Sequence, residues 1–283
     1  MRRVRWWWVG VLALGGCWTA VAADRTPPAT IWSGTSGGAT VVWSKDDVVV
    51  HRGALDAEVV FSARAEADRG WRKATTTETR SCSEDRKVQV LSVVGPLVSL
   101  SIEADGNCEG AAHPYASHRW SVFDVGRIER GRPLPVRLTA LVPESELVAK
   151  LAADPLVRKA LGAKANPPPQ TLTDLFAELA EQPITVGACD FDFGDDQLNA
   201  FAIYGLKGGD RMAIRIALPY RYEVCRGQIA QLGLDLPLPD HLRAELVQAA
   251  GRRSGFLLQD LKAVAAGRQT TFRLATPTAP SVQ

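Results

Sequence analysis

Four cysteines flank two predicted turns, and this pattern constrains the fold more than any other feature of the chain. Cys82 and Cys108 each lie 13 positions from Gly95. Residues 88–94 and 97–102 on either side of this glycine are rich in Val, Leu and Ile, as β-strands are. An antiparallel pair folded at the glycine brings the two cysteines opposite each other. The sequence therefore predicts a disulfide between them.

A second pair of cysteines repeats the arrangement. Cys189 and Cys225 flank two predicted strands at 201–206 and 212–218, which a Gly-Gly turn within 207–210 separates. The midpoint of the two cysteines falls within two positions of that turn, so we predict a Cys189–Cys225 bridge. A disulfide that closes a loop of this size restricts the unfolded chain, and in the chain-entropy model this stabilises the fold by about 3.5 to 4 kcal/mol per bridge. Buried free thiols are the alternative, which an even count in an exported chain disfavours.

The N-terminus has the composition of a secretory signal. Three arginines within the first five residues precede an apolar run at 6–14 and small residues as far as Ala23. The apolar run is shorter than the roughly 20 residues that a membrane-spanning helix needs. We therefore predict a signal peptide over 1–23, a periplasmic location and no transmembrane span in the mature chain.

Two processing sites compete within this segment. Residues 20–23, Ala-Val-Ala-Ala, suit signal peptidase, whereas residues 14–17, Leu-Gly-Gly-Cys, resemble a lipoprotein box with Cys17 as the lipidated residue. Trp18 is a bulky neighbour for a lipidated cysteine, so we favour release of a soluble chain. Lipid anchoring through Cys17 remains the alternative.

The positive charge of the chain belongs to its signal. Removing residues 1–23 takes away three arginines and no acids, which lowers the formal net charge from +2 to −1. The remaining chain has no Lys/Arg run, so it has no electrostatic footprint for nucleic acid or for anionic lipid.

The order of the predicted elements indicates an α+β fold, with antiparallel sheets, inserted helices and two disulfide-closed hairpins. Strands dominate residues 39–125, with one expected at 57–65, and residues 184–218. Residues 144–181 and 240–266 have helical patterns, with a break at Asp154-Pro155 and a helix that starts with Thr171 as its cap. The predicted regions are a flexible arm (24–38), an N-terminal β-rich region (39–95), an α+β domain (96–267) and a flexible tail (268–283).

Two motifs have a chemical interpretation that their context disfavours. Residues 34–38, Gly-Thr-Ser-Gly-Gly, match the GxSxG pattern of hydrolases, but Ser36 does not follow a core strand and precede a helix, as the nucleophile of those enzymes does. The acidic residues of 189–196 could ligate a hard cation, yet they lack EF-hand spacing. A solvated strand end with a polar turn is the favoured interpretation of this cluster.

His113 and His118 bracket Pro114 and Tyr115 in a segment beside Cys108. Two imidazoles could bind a metal or transfer protons, but spacing places no third ligand near them. We therefore predict that His113, Pro114, Tyr115 and His118 form a binding site, and we predict no catalytic residue, metal or cofactor.

Short motifs over residues 97–246 resemble the extracytoplasmic domain of lysozyme-sensing anti-sigma factors, a family that also accompanies some peptidoglycan deacetylases. The motifs are Ser-Leu-Ser-Ile at 99–102, Gly-Ala-Ala-His-Pro at 110–114, Leu-Thr-Asp-Leu-Phe at 172–176 and Leu-Pro-Tyr at 218–220. The resemblance implies a β-rich binding surface around His113. The chain lacks the transmembrane and sigma-binding parts of that family, and its four cysteines are an addition.

These observations lead to two functional expectations. The first is an exported, non-catalytic binding protein whose partner is a peptidoglycan hydrolase or another envelope protein, which it inhibits as an immunity protein does. The second is an enzyme that acts on envelope glycan or peptide through His113 and nearby carboxylates.

Overall fold

The computed structural model describes residues 29–53, 58–75, 81–162 and 168–276. The predicted signal peptide, with Cys17, lies outside these residues. The strands are β1 (Thr30–Ser36), β2 (Ala39–Ser44), β3 (Val48–Arg52), β4 (Val59–Ser62), β5 (Cys82–Val94), β6 (Leu97–Cys108), β7 (Tyr115–Glu129), β8 (Arg132–Pro135), β9 (Ile184–Val186), β10 (Cys189–Phe191), β11 (Phe201–Lys207), β12 (Arg211–Pro219), β13 (Ile229–Pro237) and β14 (Thr270–Ala275). The helices are α1 (Ala63–Thr75), α2 (Glu144–Ala153), α3 (Pro155–Leu161), α4 (Leu172–Glu181), α5 (Arg243–Ala250) and α6 (Leu261–Ala265). The predicted α+β class is confirmed.

A five-stranded antiparallel sheet in the order β14-β5-β6-β7-β8 forms the centre of the molecule. Cys82 lies opposite Cys108 across β5 and β6, and the two form the predicted disulfide. A bulge at Leu91 shifts the register of these strands by one residue. Near the turn, Val94 lies opposite Leu97, so the pairing is centred between Gly95 and Pro96. Beyond the bulge the pairing is centred on Gly95, which places Cys82 opposite Cys108.

Side chains alternate between the two faces of this central sheet, and each face covers a separate core. The first core lies against the four-stranded sheet β1-β2-β3-β4 and α1, with Trp43 fully buried among valines. The second core lies against the three-stranded sheet β11-β12-β13 and includes residues of α2, α3 and α4, of which α2 contacts β13. Burial on both faces explains why residues 88–94 are apolar almost without interruption.

The second disulfide joins two segments at one end of the second core. Cys189 is on β10, and Cys225 ends a short 3-10 turn that follows β12. Strand β10 continues beside the end of β12, where Phe191 forms a bridge with Tyr220. The predicted pairing is confirmed.

Helix boundaries in the second core follow the capping signals of the sequence. The side chain of Asp154 accepts hydrogen bonds from the amides of Leu156 and Val157, so α2 ends and α3 begins at the predicted Asp-Pro break. Thr171 accepts from the amide of Asp174 and starts α4 as predicted.

The structure differs from four predictions about regions. The expected arm and tail contain ordered strands, since β1 pairs with β2 and β14 pairs with β5. The expected boundary between 95 and 96 falls at the turn of the β5–β6 hairpin, whose strands pair along their length. Residues 63–65, expected in a strand, begin helix α1.

Within the part of the chain that the structure describes, no helix has both the length and the apolar character that a membrane crossing requires.

Candidate functional site

The loop between β6 and β7 carries His113 at the surface. The Cys82–Cys108 bridge fixes the start of this loop, and β7 begins again at Tyr115. His113 and Pro114 are exposed, and His113 Nδ1 lies 3.0 Å from the Pro114 carbonyl oxygen. The imidazole is therefore accessible to a partner.

A second loop, which follows β12, packs beside the first. Arg226 Nη2 lies 3.4 Å from His113 Nδ1, and Arg226 also pairs with Glu223. The hydroxyl of Tyr220 donates a hydrogen bond of 2.8 Å to the carbonyl oxygen of Ala116 at the start of β7. These contacts hold the two disulfide-bonded loops together.

This second loop exposes apolar side chains although its base is fixed. Tyr222 is 54% exposed and Val224 is 87% exposed, whereas the neighbouring Cys225 is only 2% exposed. We call the group His113, Pro114, Tyr222 and Val224 the His113 surface. The Cys189–Cys225 disulfide anchors this loop in the core at Cys225, directly after Val224. The surface is therefore already formed in the free protein.

The other two predicted site residues point to different partners. The Tyr115 hydroxyl donates a 2.7 Å hydrogen bond to Glu84 on β5, and its ring lies on Gly106, where a β-carbon would be 2.2 Å from the ring. His118 is half-buried, and its Nε2 lies 2.8 Å from Ser101 Oγ. His113 and His118 therefore do not share a partner.

The pKa values of these two side chains shift because of burial. Burial raises the pKa of Tyr115, and the hydrogen bond to Glu84 and the negative charge of that carboxylate act in the same direction. Burial lowers the pKa of His118, whereas the carboxylate of Glu103 opposes the shift. His118 is therefore held towards its neutral form at neutral pH.

The contact between Ser101 and His118 resembles part of a nucleophilic dyad, but its surroundings do not fit catalysis. Ser101 is 7% exposed, and within the described ranges no carboxylate hydrogen-bonds to His118. A hydrolase needs an accessible hydroxyl and a group that orients its base. Ser36, the serine of the GxSxG pattern, is buried at the end of β1, and the glycines after it form a hairpin turn with φ values of 57° and 75°.

Three of the four aspartates within residues 190–196 have partners within the protein. Asp190 accepts from the Thr185 hydroxyl, Asp192 pairs with Arg221 at 3.0 Å, and Asp195 pairs with Arg137. The Arg137 guanidinium lowers the pKa of Asp195. Among the residues that the structure describes, no group of three or more His, Cys, Asp or Glu side chains is arranged to hold a metal ion.

Sequence reasoning missed Tyr222, Val224 and Arg226. A signal was present, because Tyr222 lies between Arg221 and Glu223, and Val224 lies between Glu223 and Cys225, after the alternation of the predicted strand has ended. The nearness of Arg226 to His113 depends on how the loop after β12 packs beside the loop between β6 and β7, and no local pattern contains this information.

Comparisons of the chain with protein-family models, with curated proteins and with solved structures found no match.

Proposed function

We propose that this protein is a non-catalytic binding protein of the periplasm that recognises a protein partner through the His113 surface. The proposed partner is a peptidoglycan hydrolase, which the protein inhibits in the manner of an immunity protein. The resemblance over residues 97–246 supports this choice, since the family it resembles senses a muramidase.

The exposure of Val224 and Tyr222 on an anchored loop is the observation that carries the proposal. Val224 is 87% exposed and Tyr222 is 54% exposed. Such exposed apolar surface contributes little to the stability of the free protein, because it is not removed from water on folding. Tyrosine is enriched among residues that dominate the binding energy of interfaces. Because the disulfide already orders the loop, binding costs less conformational entropy.

The two disulfides support a location outside the cytoplasm. Such bridges persist in oxidising compartments and are rare in the reducing cytosol. The predicted signal peptide leads out of the cytoplasm, and a cell-wall partner is reached in the periplasm, which is an oxidising compartment. We therefore place the protein there.

The contacts of His113 favour binding over catalysis. Its ring contacts a backbone carbonyl oxygen and the Arg226 guanidinium, and in the described segments it forms no hydrogen bond to a carboxylate. In triad-type hydrolases a third group, most often a carboxylate, orients the histidine base.

The proposal predicts that Val224→Asp and His113→Ala each weaken binding to a muramidase at least tenfold. The aspartate places a charge in an interface that would otherwise exclude water. Biolayer interferometry against a panel of purified muramidases, with a lysis-protection assay on cells, measures the effect. Val247→Asp is the matched control, since Val247 is 50% exposed on α5, outside the His113 surface.

Two results would reject the proposal. One is that no muramidase binds and no cell is protected from lysis. The other is that Val247→Asp weakens binding as much as Val224→Asp, which would place the interface elsewhere. Turnover of a cell-wall substrate that His113→Ala abolishes would instead establish the enzymatic alternative.

A further inference from the structure

A cavity of about 470 Å³ lies between α1, β8 and the central sheet, on the side of the first core. Helix α1 faces it with Ala63, Ala67 and Gly70, which share one side of the helix at intervals of four and three residues. These residues have little or no side chain, so the helix and the sheet leave a space between them. Small-molecule sites have volumes of this order.

Gly70 is required neither by the backbone nor by packing. Its φ does not lie in the left-handed region, and a β-carbon added there would meet no atom within 4 Å. Glycine in the middle of a helix destabilises it relative to alanine. What glycine does at this position is leave the rim of the cavity open.

The lining of the cavity is largely aromatic and aliphatic. Phe61, Phe123 and Phe272 contribute their rings, and the first two have centroids 4.6 Å apart. Leu100 and Ile102 add aliphatic side chains from β6. Such a surface suits the flat body of an aromatic ring.

Two of the three arginines that line the cavity have carboxylate partners. Arg86 pairs with Glu84, the carboxylate that also accepts from Tyr115. Arg132 pairs with Glu66 at 3.5 Å. These positive charges are therefore already matched.

Arg119 is the third arginine, and it differs from the other two. It lines the cavity and keeps part of its surface accessible to solvent, and across the described ranges it forms no hydrogen bond or ion pair. Burial lowers the pKa of Arg119, and the positive charge of Arg86 acts in the same direction, whereas Glu84 opposes it. A bound anion would relieve both effects.

We propose that this cavity binds a small aromatic carboxylate, with its ring against the phenylalanine side chains and its carboxylate on the guanidinium of Arg119. One unmatched positive charge at an apolar cavity fits one negative charge on an apolar body. The planar guanidinium can donate two parallel hydrogen bonds to a carboxylate.

Isothermal titration calorimetry of the whole mature chain with 2-naphthylacetate tests the proposal. The acid should bind with a stoichiometry of one, and 2-naphthylacetamide and acetate should each bind at least tenfold more weakly. Equal affinity for the acid and its amide would overturn the role of the charge. Absence of binding by the acid would overturn the site.

Variants locate the binding. Arg119→Gln should weaken binding of 2-naphthylacetate at least tenfold, whereas Arg158→Gln, at an exposed arginine of α3, should leave it unchanged. Gly70→Leu should also abolish binding, because its side chain would stand at the rim, and this change adds a better helix former. Retained affinity in both Arg119→Gln and Gly70→Leu would overturn the proposal. Muramidase binding in these variants should be unchanged, which separates this site from the His113 surface.

Discussion

At the scale of single residues, the pair of Tyr115 and Glu84 shows how one glycine supports a buried charge. Glu84 is 6% exposed, and Arg86 and the Tyr115 hydroxyl satisfy its carboxylate. The tyrosine ring can reach it only because Gly106 has no β-carbon. A glycine in a strand interior normally weakens the strand, so its presence here reflects this close approach.

Tyr115→Phe should lower the free energy of unfolding by about 1 to 3 kcal/mol at pH 7, because a buried carboxylate loses a donor. The pKa of Tyr115 is raised in the folded state, so its contribution is complete below about pH 10 and is lost as the pH rises further. The difference between the variant and the wild type should therefore shrink above pH 10. Guanidinium unfolding at pH 7 to 11 measures it.

Tyr222→Phe is the control for this prediction, since Tyr222 is 54% exposed and its loss of a hydroxyl should change stability little. A difference for Tyr115→Phe that stayed constant or grew above pH 10 would contradict the assignment.

At the scale of elements, the β5–β6 hairpin combines a turn, a bulge and a disulfide. The turn brings Val94 opposite Leu97, and the unpaired Leu91 then moves the register by one residue. Without that residue Cys82 would not lie opposite Cys108. The bulge is therefore part of what makes the disulfide geometrically accessible.

Replacing both Cys82 and Cys108 with serine should lower the free energy of unfolding by about 3.5 kcal/mol, because the unfolded chain regains the entropy of the open loop. Denaturant unfolding of the purified variant checks this value. The Cys189→Ser/Cys225→Ser variant provides the comparison, and its slightly larger loop predicts a similar loss. Unchanged stability in either variant would contradict the entropic account.

The sequence predicts elements whose signal is local and misses those that depend on a distant partner. The strands of residues 88–102, the Asp154 break and the Thr171 cap follow from periodicity and capping. Strand β1 is rich in Thr, Ser and Gly, and it is a strand because β2 pairs with it. Helix α1 did have a signal, since Ala63, Ala67 and Trp71 recur at intervals of four residues.

The candidate sites were predictable to different degrees for the same reason. His113 is conspicuous in the sequence. Arg119, in contrast, lies within the electrostatic influence of Glu84 and Arg86 only because of the register of three strands. The cavity beside Arg119 depends on where α1 lies relative to the sheet. No pattern along the chain contains that distance.

At the scale of the whole molecule, the two cores share the central sheet, and buried polar contacts tie the layers together. Ser92 on β5 accepts from the amide of Ile203, which links the central sheet to β11. On the other side, Trp43 Nε1 donates to Thr270 Oγ1 at 3.1 Å, and Thr270 donates to the Ser44 carbonyl. Strand β14 is thus attached both to β5 and to the first sheet.

Thr270→Val should lower the free energy of unfolding by about 1 to 3 kcal/mol, because the Trp43 indole N–H and the Ser44 carbonyl lose their partner in a fully buried place. Thermal unfolding followed by circular dichroism and by Trp fluorescence measures the loss. Thr271→Val is the matched control, since Thr271 is exposed on the same strand. Equal effects of the two substitutions would show that the buried hydroxyl contributes nothing.

The position of β14 also has a consequence for the order in which the protein can mature. The chain is synthesised from its N-terminus, yet Phe272 and Leu274 complete the core that the first strands begin. Trp43 hydrogen-bonds to Thr270, which lies 227 positions later, so the first strands lack part of their environment until that distant segment has been made. A nascent chain that has not yet reached β14 lacks one edge strand of its central sheet and part of its first core.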